Sequence, residues 1–435
     1  MSIAQAQRVE QHRTAQETGV SHRGTERSLS VSNRRSSLKI ALLTGGIDKH
    51  YACGLCNSLA LNGIAVDVIC NAEMDTQEMR SSSGLTLLTL YAEPRKFTSP
   101  FGKLLAVLWT YVRIVHYAAV SDAPIFHVLW NYKFPHFDRT VLLAYFKLLG
   151  KKVVFTAHNV NAGERDGSNS WLNRLSLRIQ YRLVDHIFVH TEKMRDQIAD
   201  VFGARKDKIS IKPYATYEMV PQSSLSSAEA KRRLGLRESE RVILFFGRIV
   251  PYKGIDLLVD AFLRTASQNP DYRLVIAGEP MKGAEEHWQR VRETIEKSSA
   301  RAQVLQHTHF IDDHEIELYF KGADVLVLPY TQIFQSGVLF MAYSFGLPVI
   351  ATDVGSFSQD IIAGVTGYIC RPNDPADLAK VMETYFESEL FRELEVRRTN
   401  IKDLIQARHS WNIAAGMTGE VYAQLSPNKK PRYST

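Results

Sequence analysis

The sequence contains little cysteine: only Cys53, Cys56, Cys70 and Cys370 occur in 435 residues. So few thiols in so long a chain do not form a disulfide framework, which is typical of a protein from a reducing compartment. Cys53 and Cys56 have the spacing of a redox motif, but no second pair completes a zinc site. Because both fall inside an apolar helical pattern, we expect them to pack a helix against a sheet.

The sequence also lacks an uninterrupted apolar run of the about 18 residues that a membrane span needs, and its polar start shows no secretory signal. We therefore expect a cytoplasmic protein. The most apolar stretch, residues 104–120, is interrupted by Arg113 and His116. It predicts either a helix packed on a sheet, the simpler interpretation, or a helix on a membrane surface with Lys103 and Arg113 near the lipid headgroups.

The net charge of +7 and the isoelectric point of about 9.0 fit phosphates, anionic lipid or nucleic acid as partners and do not choose among them. Residues 1–37 carry six Arg against three Glu and almost no apolar periodicity, which predicts a disordered basic tail. Nucleic acid is not an expected partner, because no segment interleaves basic residues with exposed aromatic ones.

Short runs of β-branched residues alternate with helical patterns along the rest of the chain. This alternation predicts parallel sheets covered by helices on both faces. It is interrupted by the polar, Ser-rich residues 218–240 and then restarts, so we expect two doubly wound α/β domains in series. Ligands of such sheets bind beyond the carboxyl ends of the strands, and two facing sheets place that region in one cleft.

The segment FGRIVPYKG, residues 246–254, ends a predicted strand and begins a helix. Arg248 offers a planar guanidinium and Lys253 a mobile ammonium. Two cations above a helix N-terminus, whose free N–H groups also attract anions, suit a diphosphate. The alternative is a solvated basic turn, which we consider the weaker interpretation.

A second turn leads into a helix at Gln335, Ser336, Gly337 and Val338. Ser336 is expected to cap this helix, and Gly337 leaves room for a ligand near the backbone. The N–H groups of Gly337 and Val338 would bind the same diphosphate from its other side. A plain capped helix without ligand explains this pattern equally well.

The segment FTAHNVN places His158 at a strand end in the first half of the chain. Such a histidine is either structural or in contact with the reacting group, and the two interpretations remain open. Other residues follow strand ends and are expected to line the same cleft: Gly45, Gly46, Gly278, Glu279 and Tyr330.

Taken together, these motifs resemble those of the GT-B glycosyltransferases, in particular the large retaining family 4. The resemblance extends from Lys39 over nearly the whole chain. It includes the Gly-Arg and Lys-Gly pairs of residues 247–254, the Gly-x-Pro-Val-Ile-Ala-Thr-Asp-x-Gly run at residues 346–355, and a Trp-led helix at residues 410–425. It implies a GT-B fold of two Rossmann-like domains facing across a cleft, with a C-terminal helix returning to the first domain.

The expected domains are an acceptor-binding domain over residues 38–222, a nucleotide-sugar-binding domain over 223–405 and a return helix with a tail over 406–435. The resemblance further implies that Arg248 and Lys253 neutralise the leaving diphosphate and that His158 contacts the donor sugar near the reacting carbon. These three are the expected catalytic residues. Gly45, Gly46, Gly278, Ser336, Gly337 and Val338 belong to the expected donor site.

One departure from the family concerns two Glu residues eight positions apart, of which one binds donor sugar hydroxyls and the other the ribose. Alignment places Ile333 and Met341 at these positions. Ribose and sugar recognition must then come from elsewhere, and Glu279, Gln335 and Tyr330 are the candidates. The departure leaves the diphosphate site unaffected.

The expected function is retaining transfer of a sugar from a UDP- or GDP-linked donor to a glycan or lipid-linked acceptor, in surface or exopolysaccharide biosynthesis. An anionic membrane is an expected peripheral contact at the inner face of the cell membrane. No metal is expected, because Arg248 and Lys253 take its place and no Asp-x-Asp follows a strand. The alternative is a non-catalytic GT-B-like protein that binds nucleotide or glycan.

Overall fold

The computed structural model describes residues 38–93, 99–165, 167–217 and 220–426. The basic tail predicted for residues 1–37 lies outside the described residues. Two sheets organise the described part of the chain, one of seven strands and one of six, and all strand pairs in both are parallel.

The first sheet has the strand order β3-β2-β1-β4-β5-β6-β7. Its strands are β1 (Lys39–Leu43), β2 (Ala65–Ile69), β3 (Leu85–Leu88), β4 (Ile125–Val128), β5 (Lys152–Thr156), β6 (His186–Val189) and β7 (Ile209–Ile211). The helices of this half of the chain are α1 (Lys49–Leu61), α2 (Gln77–Ser81), α3 (Pro100–Val120), α4 (Pro135–Phe137), α5 (Leu143–Leu148), α6 (Ala162–Arg165), α7 (Trp171–Leu183) and α8 (Glu192–Phe202).

The second sheet has the order β10-β9-β8-β11-β12-β13. Its strands are β8 (Arg241–Phe246), β9 (Tyr272–Ala277), β10 (Val304–His307), β11 (Val325–Leu328), β12 (Val349–Thr352) and β13 (Gly367–Cys370). The helices of this half are α9 (Ser227–Arg233), α10 (Ile255–Ala266), α11 (Glu285–Lys297), α12 (Asp313–Gly322), α13 (Gly337–Ser344), α14 (Phe357–Asp360), α15 (Pro375–Glu387), α16 (Glu389–Arg392), α17 (Leu394–His409) and α18 (Trp411–Leu425).

The predicted pair of doubly wound sheets is confirmed, and so is the return of the last helix. Gly54 lies on α1 where a Cβ atom would be 2.2 Å from the Trp411 ring of α18. The Trp411 indole N–H donates to the carbonyl oxygen of Thr216 at 2.8 Å, and Tyr422 lies 2.5 Å from His127 in β4. The last helix therefore packs against the first half of the chain, and only glycine fits at position 54.

The thiols of Cys53 and Cys56 are buried in α1. Burial raises the pKa of the Cys53 thiol to about 12. Both side chains therefore stay protonated and behave as small apolar groups, as expected, although the residue between them packs against α18 and not against a sheet.

Helix α3 has two apolar faces. One packs into the core through Ala106, Val107, Thr110, Tyr111, Ile114 and Ala118. The opposite face is exposed and consists of Phe101, Leu104, Leu105, Leu108, Trp109 and Val112, which we call the apolar stripe. By length and composition alone, this helix is apolar enough to cross a membrane. The sequence pattern did not predict this, because Arg113 and His116 interrupt the apolar run.

The sequence pattern of residues 139–149 predicts one regular helix between β4 and β5, and the structure differs from this in detail. The segment Asp138–Leu142 is a π-helical turn that lies between the short helix α4 and α5, which begins at Leu143. The buried Asp138 carboxylate at the start of this turn accepts a hydrogen bond from the Tyr132 N–H at 2.6 Å. This bond ties the turn to the loop after β4, and burial raises the pKa of Asp138 to about 6.

Candidate functional site

The loop after β1 contains Gly45 and Gly46, both with positive φ, at 63° and 68°. A Cβ atom on Gly45 would lie 2.7 Å from both the Cβ atom and the carbonyl oxygen of Trp130, which follows β4. The Gly45 N–H donates to the Tyr91 hydroxyl at 3.1 Å. The loop therefore lies directly on the chain after β4, an approach that only glycine permits.

His158 follows β5 and stacks on the Trp130 indole, with ring centroids 4.2 Å apart and planes 7° from parallel. Its Nδ1 atom lies 3.2 Å from Nε2 of His190, the residue after β6. Its Nε2 atom is buried and has no hydrogen-bond partner among the residues that the structure describes. Burial, with the nearby His190 and Lys212, holds the pKa of His158 well below its usual value.

In the second sheet, Gly247 after β8 and Gly278 after β9 bring two loops into contact. A Cβ atom on Gly278 would lie 2.3 Å from the carbonyl oxygen of Gly247. The Ile249 N–H donates to the carbonyl oxygen of Glu279 at 2.9 Å. The predicted site residues 247, 278 and 279 are thus neighbours at one edge of the sheet.

The Lys253 side chain points towards the loop of Gly247 at this edge of the sheet. A Cβ atom added to Gly247 would lie 2.9 Å from the Lys253 Nζ atom and 3.8 Å from a methyl group of Val338, in the first turn of α13. The Nζ atom also lies 5.7 Å from the centre of the Tyr330 ring. The ammonium group, the Gly247 backbone and the start of α13 therefore converge.

Arg248 is exposed beside this group. Its guanidinium makes no hydrogen bond or ion pair with any residue that the structure describes. Its guanidinium is therefore accessible to an anionic ligand at this loop.

Ser336 occupies the N-cap position of α13, but its side chain makes no capping hydrogen bond, contrary to the prediction. Its φ of −117° and ψ of 117° are extended, as an N-cap requires. The first N–H groups of the helix consequently receive no acceptor from Ser336, and they remain suited to an anion.

Two other predicted donor-site residues are engaged within their own half of the chain. The Gln335 amide lies 3.4 Å from the Asp360 carboxylate, which also accepts from Ser356 at 2.6 Å. Tyr330 is 2% exposed, with its ring beneath Lys253. Tyr330 thus supports the lysine and presents little surface to a ribose.

Contacts that the sequence did not predict join the two sheets. The Tyr217 hydroxyl donates to the Asp48 carboxylate at 2.8 Å, and it lies 2.9 Å from the Tyr214 hydroxyl. A Cβ atom on Gly337 would lie 2.4 Å from the Tyr217 oxygen and 3.0 Å from that of Tyr214. These two tyrosines therefore connect the N-cap of α1 with the first turn of α13.

An ionic contact spans the same gap. Asp313, the first residue of α12, pairs with His50 at 3.0 Å and with Lys49, both in the first turn of α1. The hydrogen bond from His50 and the Lys49 contact hold the pKa of Asp313 well below its usual range. Only Asp48 could have been recognised in the sequence, as a helix N-cap; its partners are far away in the chain.

Among the described residues, no group of three or more His, Cys, Asp or Glu side chains is placed to hold a metal ion. Metal independence stays a prediction that needs its own measurement.

Comparison with known proteins agrees with this geometry. Residues 45–214 match the family described as Glycosyltransferase Family 4, and residues 226–403 match Glycosyl transferases group 1. D-inositol 3-phosphate glycosyltransferase of Streptomyces avermitilis is 26% identical over 247 residues, 55% of this chain and 51% of the relative. The enzyme of the same name from Stackebrandtia nassauensis is 26% identical over 354 residues, 77% of each chain. The chain thus spans about half the length of the first of these relatives.

Two solved structures share the fold. HepE of Anabaena, in complex with UDP and glucose, has a TM-score of 0.69 at 16% identity, over 89% of this chain and 100% of that one. Sucrose-phosphate synthase of Thermosynechococcus elongatus has a TM-score of 0.71 at 20% identity, over 89% and 98%. The two family matches follow one another along the chain and cover its two parallel sheets, which the returning helix joins. The chain therefore belongs to the family 4-like GT-B glycosyltransferases.

Proposed function

We propose that the protein is a retaining glycosyltransferase that moves a sugar from a UDP- or GDP-linked donor to a hydroxyl of a glycan or lipid-linked acceptor. One observation carries the proposal: the Lys253 ammonium, the Gly247 backbone and the start of α13 at Val338 converge. A cation and a helix N-terminus together suit a diphosphate. HepE, whose structure holds UDP, has the same fold and supports this class of ligand.

The proposed chemistry is stabilisation of the leaving group. Negative charge accumulates on the diphosphate as its bond to the sugar breaks. Arg248, Lys253 and the first N–H groups of α13 therefore stabilise the transition state more than the bound ground state. His158 accepts a hydrogen bond from a sugar hydroxyl. No protein nucleophile is needed in this front-face reaction, and the two cations make a divalent ion unnecessary.

A second candidate is a protein that binds nucleotide or glycan without transferring it. Ile333 and Met341 favour it, because they replace carboxylates with apolar side chains. Met341 is buried in α13, and Ile333 lies in the loop before that helix.

Two measurements on the full chain separate these candidates. Titration calorimetry with UDP and GDP tests the diphosphate site, and a panel of UDP- and GDP-sugars with a membrane extract tests transfer. Binding followed by transfer, unchanged in the presence of a chelator, is the expected result. Binding without transfer or donor hydrolysis supports the non-catalytic protein, whereas no binding of either nucleotide contradicts the glycosyltransferase and leaves only a glycan-binding protein.

We propose further that the enzyme works at the inner face of the cell membrane, in surface or exopolysaccharide biosynthesis. The apolar stripe of α3 supports this, since Phe101 is 70% exposed and Trp109 62% exposed. Soluble monomers rarely expose a contiguous apolar patch of more than a few hundred Å².

A neighbouring segment extends the surface. Phe134, 39% exposed, stacks on Tyr111 of α3 with ring centres 5.6 Å apart. The turn after it contacts α7 through the Arg139–Asn173 hydrogen bond of 2.8 Å. On α7, exposed apolar and basic side chains alternate: Trp171, Leu172, Arg174, Leu175 and Arg178. Apolar residues with basic ones between them suit an anionic lipid surface.

Sedimentation with vesicles of phosphatidylcholine and phosphatidylglycerol tests this. We expect the protein to sediment in low salt and to be released in part by high salt, because salt screens only the basic contribution. The double variant Leu108→Glu, Trp109→Glu should stay in solution, whereas Leu61→Glu, at a site 84% exposed on α1, should behave as wild type. Equal sedimentation of the stripe variant and wild type would contradict the proposal.

A further inference from the structure

A cavity of about 170 Å³, lined by polar and apolar side chains, opens between the two halves of the chain. From the first half it is lined by Asn159, Glu164, Lys193 and Gln197, and from the second by the loop that contains Gln332 and Ile333. Sites for whole drug-sized ligands measure roughly 300–1,000 Å³, so this cavity suits one small polar ring.

The cavity lies where the proposed reaction needs a sugar. Asn159 directly follows His158 at the end of β5, and Ile333 belongs to the loop that leads into α13. A Cβ atom on Gly355 would lie 2.4 Å from the carbonyl oxygen of Ile333, so the backbone after β12 holds this loop closely. The cavity is therefore next to the histidine and to the helix proposed to hold the diphosphate.

Its chemistry fits sugar hydroxyls, which both donate and accept hydrogen bonds. Amide side chains do the same, and Asn159, Gln197 and Gln332 supply them. Glu164 adds a carboxylate: its Oε1 atom accepts from Asn161 at 3.2 Å and from Asn169 at 3.4 Å. Its Oε2 atom accepts no hydrogen bond from any residue within the described ranges and so remains for a ligand.

The turn that carries Glu164 is held in place by the Asn173 side chain of α7. The Asn161 oxygen accepts from the Asn173 amide at 2.8 Å, and Asn161 is 2% exposed. A Cβ atom on Gly163 would lie 2.8 Å from the same amide nitrogen. The turn that carries this exposed carboxylate is thus anchored to the buried amides of Asn161 and Asn173.

We propose that this cavity binds the sugar of the nucleotide-sugar donor, and that Glu164 supplies from the first half of the chain the carboxylate that Ile333 lacks. This inference rests on the proposed donor site. It assigns sugar recognition to Glu164, with amide donors from Asn159 and Gln197. Specificity for the sugar then depends on the two halves coming together, whereas the diphosphate is held by the second half alone.

The test compares UDP with UDP-glucose, and GDP with GDP-mannose, by titration calorimetry on the full chain. Glu164→Gln keeps the oxygen that Asn161 and Asn169 bind and removes the free carboxylate oxygen. We expect its affinity for the nucleoside diphosphate to change less than twofold and its affinity for the nucleotide-sugar to fall about tenfold. Glu286→Gln, at an exposed position of α11, is the matched control and should leave both affinities unchanged.

A second variant guards against a local change of fold. Adding Ile333→Glu to Glu164→Gln returns a carboxylate to the other wall of the cavity and should restore part of the lost affinity for the nucleotide-sugar. Equal loss for diphosphate and nucleotide-sugar, or an effect only on the acceptor KM, would overturn the assignment. If wild type binds neither UDP nor GDP, the proposed function itself fails; if it binds them and Glu164→Gln has no effect, only this inference fails.

Discussion

The Nδ1 atom of His158 lies 3.2 Å from the Nε2 atom of His190, whose own Nδ1 atom lies 3.0 Å from the carbonyl oxygen of Lys212. A carbonyl oxygen only accepts hydrogen bonds, so neutral His190 carries its proton on Nδ1. Its Nε2 atom then accepts the proton of His158 Nδ1. The buried Nε2 atom of His158 is thereby left with a free lone pair, as an acceptor and not as an acid.

Removing His190 should therefore impair turnover without removing any contact to the diphosphate. We expect His190→Gln to lower kcat by about tenfold, which corresponds to an increase of roughly 1.4 kcal/mol in the activation free energy. The affinity for UDP should change little. His186→Gln is the control. His186 begins β6, the strand that ends just before His190, and its ring lies 3.0 Å from the Ser210 hydroxyl, away from His158. Equal kcat values for the two variants would contradict the assigned role.

The pH dependence follows from the same pair. Burial holds the pKa of His158 well below 6.5 and lowers that of His190 to about 3. Both rings consequently stay neutral from pH 6 to 8, and the lone pair of His158 is retained there. We expect the pH profile of kcat/KM to show no change of slope caused by titration of His158 in this range. A fall of kcat/KM below about pH 6.5 that is absent in His158→Gln would contradict the lowered pKa of His158.

The diphosphate site predicts a loss of affinity when its cations are removed. We expect Arg248→Ala and Lys253→Ala each to weaken UDP binding tenfold or more, since a charged hydrogen bond contributes about 1.5–3 kcal/mol. Lys297→Ala, on the exposed side of α11, should bind as wild type does. Titration calorimetry measures all three, and unchanged affinity in both site variants would reject the site.

Gly337 allows a comparison between two glycines in helices. Gly337→Ala places a methyl group against the Tyr217 and Tyr214 hydroxyls and should displace the start of α13, weakening nucleotide binding and lowering the melting temperature. Gly416→Ala meets no atom within 4 Å in α18 and should stabilise by up to about 1 kcal/mol. Thermal unfolding and calorimetry compare the two; a neutral Gly337→Ala would mean that the tyrosines move freely.

Lys212 is fully buried, with its ammonium 4.6 Å from the Phe188 ring and without a hydrogen-bond partner in the described part of the chain. Burial lowers its pKa from 10.5 to about 7. Between these pH values the unfolded chain binds a proton that the folded chain does not, so stability rises with pH across this window.

We therefore expect Lys212→Met to be more stable than wild type at pH 7, by up to about 5 kcal/mol, and the difference to shrink towards pH 10. Lys380→Met is the control, because Lys380 is exposed on α15. Denaturant unfolding at both pH values provides the check. A difference in the free energy of unfolding that grows towards pH 10 would contradict the lowered pKa of Lys212.

Local patterns predicted most of the fold. Buried β-branched strands and Gly-rich strand ends predicted both sheets, and the loops of Gly247 and Gly278 meet as expected. The expected cap by Ser336 and the uninterrupted regular helix over 139–149 are the errors. The first is a preference of residue type that the structure does not use, and the second lies where a side chain bonds outside its own helix. Asp138 ties a π-helical turn to Tyr132, and no nearest-neighbour rule contains that bond.

The sequence by itself determined the alternation of strands and helices, the cations at 248 and 253, and the absence of carboxylates at 333 and 341, because each depends only on residue type and spacing. Only the tertiary structure decided that Glu164 faces the loop of Ile333, and that Tyr217 joins Asp48 to the start of α13. The reason is physical: parallel strands are connected through long crossovers, so residues at one edge of two sheets are far apart along the chain, and only packing of both sheets brings them within contact.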